Sequence, residues 1–146
     1  MDKVERLLEE KGRDVYSLGP EAMVWEAARL MAGKRVGALL VMKEERVVGI
    51  FSERDILNRV VLPAKDAKAT TLSEVMSTDL VYVPPDAAIN EALAIMTERR
   101  CRHLPVICED RLCGLVSIGD CTRWISRNQD YTIRHLTDYI NSKYPG

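Results

Sequence analysis

Two stretches of this 146-residue chain share the pattern glycine, two apolar residues, serine, two variable residues, aspartate. They are Gly49, Ser52 and Asp55 in the first and Gly114, Ser117 and Asp120 in the second. Serine followed three residues later by an acid is the spacing of a helix capping box. The hydroxyl accepts from a first-turn amide, and the carboxylate reaches back to the serine N–H. One copy alone would be read as local structure. Two copies also offer binding chemistry, because a helix N-terminus with free amides and a hydroxyl suits phosphate. A carboxylate one turn in can accept from both hydroxyls of a ribose, and a glycine three residues earlier lets another group come close to the strand end. Catalysis would need a nucleophile with its base, a carboxylate pair or a metal site, and none is visible. A cysteine of the second half with His103 as its base is the remaining enzymatic candidate.

Both patterns belong to a longer repeat. Sliding the sequence by 65 residues aligns 15–62 with 80–127 without a gap, and about 12 of the 48 positions are identical. Pro20 meets Pro85, Glu26 meets Glu91, Met31 meets Met96 and Leu39 meets Leu104. Within each copy the apolar period predicts strand, helix, strand, strand, helix. In the first these cover 15–18, 24–31, 37–42, 47–51 and 53–61; in the second, 80–83, 88–100, 103–108, 112–116 and 119–126. Each unit has too few strands to be stable alone, so the two should share one core. The expected fold is α/β (α+β): two βαββα repeats packed by pseudo-two-fold symmetry into one domain. Residues 1–14 form an N-terminal helix with Val4, Leu7 and Leu8 on one face, 15–65 and 80–128 the repeats, and 66–79 a connector with a short helix near 72–76. A C-terminal helix over 129–146 carries Ile133, Leu136 and Ile140. The end helices cover the core or a partner subunit.

Composition narrows the function. Apolar and charged fractions of 47% and 29% fit an ordinary folded chain, and a net charge of −1 leaves no basic field for nucleic acid. No window reaches the length of a membrane span, and the charged N-terminus lacks a secretory apolar run, so a cytoplasmic location is expected. Cys101, Cys108, Cys113 and Cys121 include no C-x-x-C pair and read as interior thiols rather than zinc ligands. Trp25 and Trp124 read as packing or interface residues, His135 as solvated, and Arg99, Arg100 and Arg102 as a helix end or a phosphate contact. Lys65 and Lys68 are remoter phosphate candidates.

Residues 49–55 and 114–120, with Arg102, His103, Leu104, Pro105 and Val106, resemble the signature of CBS domains. These are the cystathionine β-synthase type repeats, whose tandem pairs are called Bateman modules, and the resemblance runs from about 15 to 127. Residues 71–76, 116–120 and 136–140 are further similar to small stand-alone CBS-pair proteins of bacteria and plant organelles.

The resemblance implies binding of adenosine-containing ligands, such as AMP, ATP, NAD(H) or S-adenosylmethionine, in two clefts between the repeats. It implies phosphate or ribose contacts for Ser52 and Ser117 and ribose contacts for Asp55 and Asp120. It places Val81, Arg102 and His103 in the Asp55 cleft, and Tyr16, Gly37 and Ala38 in the Asp120 cleft. Arg54, Arg102 and His103 would favour the more phosphorylated ligand beside Asp55, whereas Gly119, Gly37 and Ala38 bring no charge to Asp120. The reading is a regulatory module with an adenine nucleotide or NAD(H) as regulatory ligand and no catalytic cofactor or metal. A homodimer is expected from the resemblance, with a regulated protein partner as a further possibility and neither nucleic acid nor membrane as partner. The alternative is a structural or partner-docking module whose S-x-x-D motifs are only helix caps.

Overall fold

Helical spacing puts Val4, Leu7 and Leu8 on one face of α1 (Val4–Lys11), and all three are buried in the computed structural model, which describes residues 2–127. The expected C-terminal helix, with His135, lies outside the described residues. The first repeat runs through β1 (Ser17–Leu18), α2 (Val24–Lys34), β2 (Ala38–Lys43), β3 (Arg46–Ser52) and α3 (Glu53–Asp55), which continues as a π-helix over Ile56–Val61. After α4 (Leu72–Val75), the second repeat has α5 (Ile89–Arg99), β4 (His103–Cys108), β5 (Arg111–Ser117) and α6 (Ile118–Arg127).

The two hairpins are built alike. Ala38 faces Ser52 across the first and His103 faces Ser117 across the second, with one register shift at the same place in each. Their tips turn on residue pairs in the left-handed region, Glu44 and Glu45 (φ 51° and 67°) and Glu109 and Asp110 (φ 50° and 64°). That backbone matches the twist of strands joined by two residues.

The strand expected at 80–83 is not formed. In the first repeat β1 pairs in parallel with β2, and the Leu40 N–H donates to the Tyr16 carbonyl at 3.1 Å. The residue aligned with Leu40 is Pro105, which has no N–H to give. The ladder shrinks to one parallel bridge between Val83 and Val106, held by Val83 N–H to Pro105 O at 3.1 Å and Ile107 N–H to Val83 O at 3.0 Å.

The single shared core is also corrected. Among the described residues two buried clusters form, one per repeat, and each is completed by a helix from outside it. Leu72 and Val75 of α4 join Val24, Ala27, Met31, Leu39, Val41 and Phe51 of the first repeat. Val4, Leu7 and Leu8 of α1 join Ile89, Ala92, Met96, Leu104, Val106 and Val116 of the second. Each closing helix thus precedes one repeat in the chain and packs on the other. The two dock in the same way: Leu72 and Ser73 N–H donate to Ala22 and Pro20 O at 2.9 and 3.0 Å, and Val4 and Glu5 N–H to Ala87 and Pro85 O at 2.8 and 2.9 Å.

This docking explains the motif glycines. A Cβ on Gly49 would stand 2.5 Å from Met76 Sδ, and one on Gly114 would stand 2.8 Å from Leu8 Cδ2. The group that comes close to each strand end is therefore a side chain from the exchanged segment.

Leu8 is fully buried, so Leu8→Ala is expected to lower unfolding free energy by about 2–5 kcal/mol in a urea titration. A loss below about 1 kcal/mol would mean that α1 does not close the second repeat.

Candidate functional site

Both S-x-x-D motifs form capping boxes. Asp55 Oδ2 accepts the Ser52 N–H at 3.0 Å, and Ser52 Oγ accepts the Asp55 N–H at 3.4 Å. The second box is tighter, at 2.9 and 3.0 Å for the corresponding bonds of Ser117 and Asp120. Capping uses one carboxylate oxygen and leaves Oδ1 for other partners.

Around Asp55 those partners border a cavity of about 490 Å³, within the size range of small-molecule sites. Ser52, Glu53, Arg54 and Asp55 of the first repeat line it together with Arg99, Arg100, Cys101, Arg102 and His103 of the second. It therefore unites five of the six residues expected in this cleft. Val81 lies in an adjoining hollow of about 110 Å³ whose walls include Ile50, Cys101, His103 and Pro105. Arg54 Nη1 donates to the Arg100 carbonyl at 2.8 Å, tying the two repeats across the cavity. Asp55 is buried, and its Oδ1 accepts from the Ser77 hydroxyl at 3.0 Å, with Arg59 Nε 3.7 Å away.

Arg59 and Ser77 are additions to the expected site, and Arg99, read from the sequence as a helix end or a phosphate contact, lines it too. Arg59 lies four residues after Asp55, a spacing that could have signalled it. Ser77 arrives from the connector, through an Ile50–Ser77 bridge that no local pattern announces. Lys65 and Lys68 are not among the cavity's lining residues, and Lys68 sits 5.0 Å from the Trp25 ring.

The residues expected around Asp120 are not assembled in the same way. Gly37 lines the Asp55 cavity, where a Cβ would meet the His103 imidazole at 3.6 Å. Ala38 is buried in β2 and Tyr16 is exposed before β1. Charge is present beside Asp120 after all: Lys11 Nζ lies 2.5 Å from Oδ2 and Arg123 Nη2 lies 2.8 Å from Oδ1.

Burial raises the Asp120 carboxyl, and hydrogen bonds from Lys11 and Ser117 overcome that, leaving it below the ordinary value. Burial lowers the His103 imidazole; the Asp120 charge opposes this and Lys11 adds to it. Burial likewise raises the Cys101 thiol, and it pushes Cys121 up to about 11, with the Asp120 charge adding to the effect. Both thiols are protonated at neutral pH, which weighs against a cysteine nucleophile. Among the described residues no group of three or more His, Cys, Asp and Glu is placed to hold a metal ion, and no helix is long and apolar enough to cross a membrane.

The sequence model of the CBS domain matches residues 11–62 and again 72–127. The mitochondrial CBS domain-containing protein CBSX3 of Arabidopsis thaliana is 32% identical over 126 residues, 83% of this chain, and the chain spans 61% of that relative's length. A solved structure of a Burkholderia ambifaria protein with CBS domains is 39% identical, with a TM-score of 0.84 over 88% of this chain and 96% of that one. The CBS domain pair of protein MJ0100, solved with 5′-methylthioadenosine and S-adenosyl-L-methionine, shares the fold at 19% identity, with a TM-score of 0.77 over 88% and 98%.

The folded state favours neutral His103 and ionised Asp120. Stability from each is full above the group's ordinary value and declines as pH falls through its lowered one. In an NMR titration the His103 ring is expected to protonate below the free-imidazole midpoint. A midpoint at or above that of free histidine would contradict the burial described.

Proposed function

Since the chain belongs to the CBS-domain family, carrying two tandem copies of the domain, we propose that it is a regulatory module that binds an adenosine-containing ligand in the Asp55 cavity. The observation that carries this reading is the make-up of that cavity. A buried carboxylate and a helix-capping serine from one repeat face Arg99, Arg102 and His103 from the other, so a ligand held there touches both repeats. Asp55 would take the ribose hydroxyls, with the Ser77 hydroxyl turning aside. The arginines and the α3 N-terminus would take phosphate, and the hollow at Val81 would take the flat base. Charge-assisted contacts are worth roughly 1.5–3 kcal/mol each, which favours a nucleotide carrying several phosphates, of the ATP or NAD(H) class, over a bare nucleoside. The adenosine compounds bound by the MJ0100 pair support the ligand class.

Regulation follows from position. A ligand shifts the packing of the two repeats only as far as it binds one arrangement better than another. The homodimer expected from the resemblance is part of the same reading, and the exposed apolar run of Leu57, Val61 and Leu62 is a surface that such a contact would cover. The docking alternative draws on the capping boxes, which occupy both serines and both aspartates without any ligand.

A thermal-shift series with AMP, ATP, NADH and S-adenosylmethionine separates the two. At about a hundred times its dissociation constant a true ligand adds roughly 2.7 kcal/mol of stability. Arg102→Ala is expected to weaken ATP or NADH about 10- to 100-fold in calorimetry, and Asp55→Ala to weaken every adenosine compound. If no adenosine compound raises the melting temperature, the docking reading stands instead.

A further inference from the structure

The two S-x-x-D motifs are related by the repeat, yet the segments that reach their aspartates differ. At Asp55 the chain after α4 supplies Ser77, a neutral hydroxyl 3.0 Å from Oδ1. At Asp120 the end of α1 supplies Lys11, whose ammonium lies 2.5 Å from Oδ2 and 2.8 Å from the Leu115 carbonyl. Arg123 holds the other oxygen at 2.8 Å. We infer that Lys11 is a built-in occupant of the Asp120 site, standing on the carboxylate where a ribose would be held, so that each chain takes one adenosine ligand, at Asp55. This rests on the adenosine reading proposed above.

Four observations carry it. Both oxygens of Asp120 already accept from cations, so a ribose hydroxyl, whose bond would have one charged partner, would have to displace contacts in which both partners are charged. The carboxylate side of the Lys11 pair is only 11% exposed, so water screens it weakly. The lysine is also tethered, because Leu7 and Leu8 of the same helix are buried in the core of the second repeat. The ammonium is therefore present at a high effective concentration. The space left beside the pair is about 220 Å³, bordered by Leu7, Glu10 and Trp124, against about 490 Å³ at Asp55. By contrast, Asp55 Oδ1 is held by the Ser77 hydroxyl, which needs only to rotate, while Arg59 Nε stands 3.7 Å away, beyond hydrogen-bond distance.

Calorimetric titration of the whole chain with AMP and with ATP tests this, using the native protein and Lys11→Met, which keeps an unbranched apolar stem and removes the ammonium. The expected result is one equivalent for the native chain and two for Lys11→Met, the added one disappearing when Asp120→Ala is combined with it. Two equivalents in the native chain, or one in a Lys11→Met protein that melts cooperatively, overturn the inference and leave the Asp55 reading standing. No binding to either protein overturns both. Reductive methylation without any ligand gives a readout independent of that variant's folding. Lys11 is expected to react at least about tenfold more slowly than the exposed Lys43, in line with an ion pair that is rarely open, and to lose that protection in Asp120→Asn. Equal rates for Lys11 and Lys43 in the native chain overturn the inference.

Discussion

Everything in this molecule depends on a reciprocal exchange of short helices. Neither repeat covers its own sheet completely: the first needs Leu72 and Val75 from α4, and the second needs Val4, Leu7 and Leu8 from α1. Burying those side chains is what joins the repeats, since at roughly 25 cal/mol per Å² a few fully buried leucines and valines outweigh the polar contacts between the two halves. The exchange also delivers the residues that finish each motif. α4 leads into Ser77 beside Asp55, and α1 ends in Lys11 beside Asp120. The contacts at both aspartates are thus a by-product of how the cores are closed.

The cavity at Asp55 shows how much positioning the framework does. Asp55 is fixed by its own capping box, Arg54 by the Arg100 carbonyl, and His103 by pairing with Ser117 at the start of β4. Arg100 itself sits in the left-handed conformation that ends α5, which turns the chain so that Arg102 and His103 follow at the cavity wall. A strained helix end in one repeat and a cap in the other thus meet across the same space.

The hairpins, the caps and the two long helices of the repeats were legible in the sequence because each depends on residues within a turn or two of one another. Both S-x-x-D motifs announce their caps, and the matched patterns at 37–51 and 102–116 announce their hairpins. The destinations of α1 and α4 were not legible, because an amphipathic face says only that a helix is buried and not against what. Ser77 and Lys11 were missed for that reason: they reach the aspartates through packing between distant parts of the chain. Gly49 and Gly114 announce room for an approaching group without naming it, and the approaching groups are Met76 and Leu8. Pro105 was visible throughout, but its missing N–H matters only once it is aligned with Leu40 and asked to donate.

The placement of α1 also bears on how the chain reaches its native state. Val4 joins a cluster that includes Cys121, and the indole of Trp124 donates to Asp2 across 122 positions of sequence at 2.8 Å. In chain order α1 precedes the other described elements, yet the surface that receives it is complete only when β5 and α6 have been made. Its leucines have no receiving surface until the second repeat has been made. Contacts this distant in sequence carry a large loop-closure cost and slow the folding of a small domain, so docking α1 on the second repeat is a burden on the folding rate that no local element shares.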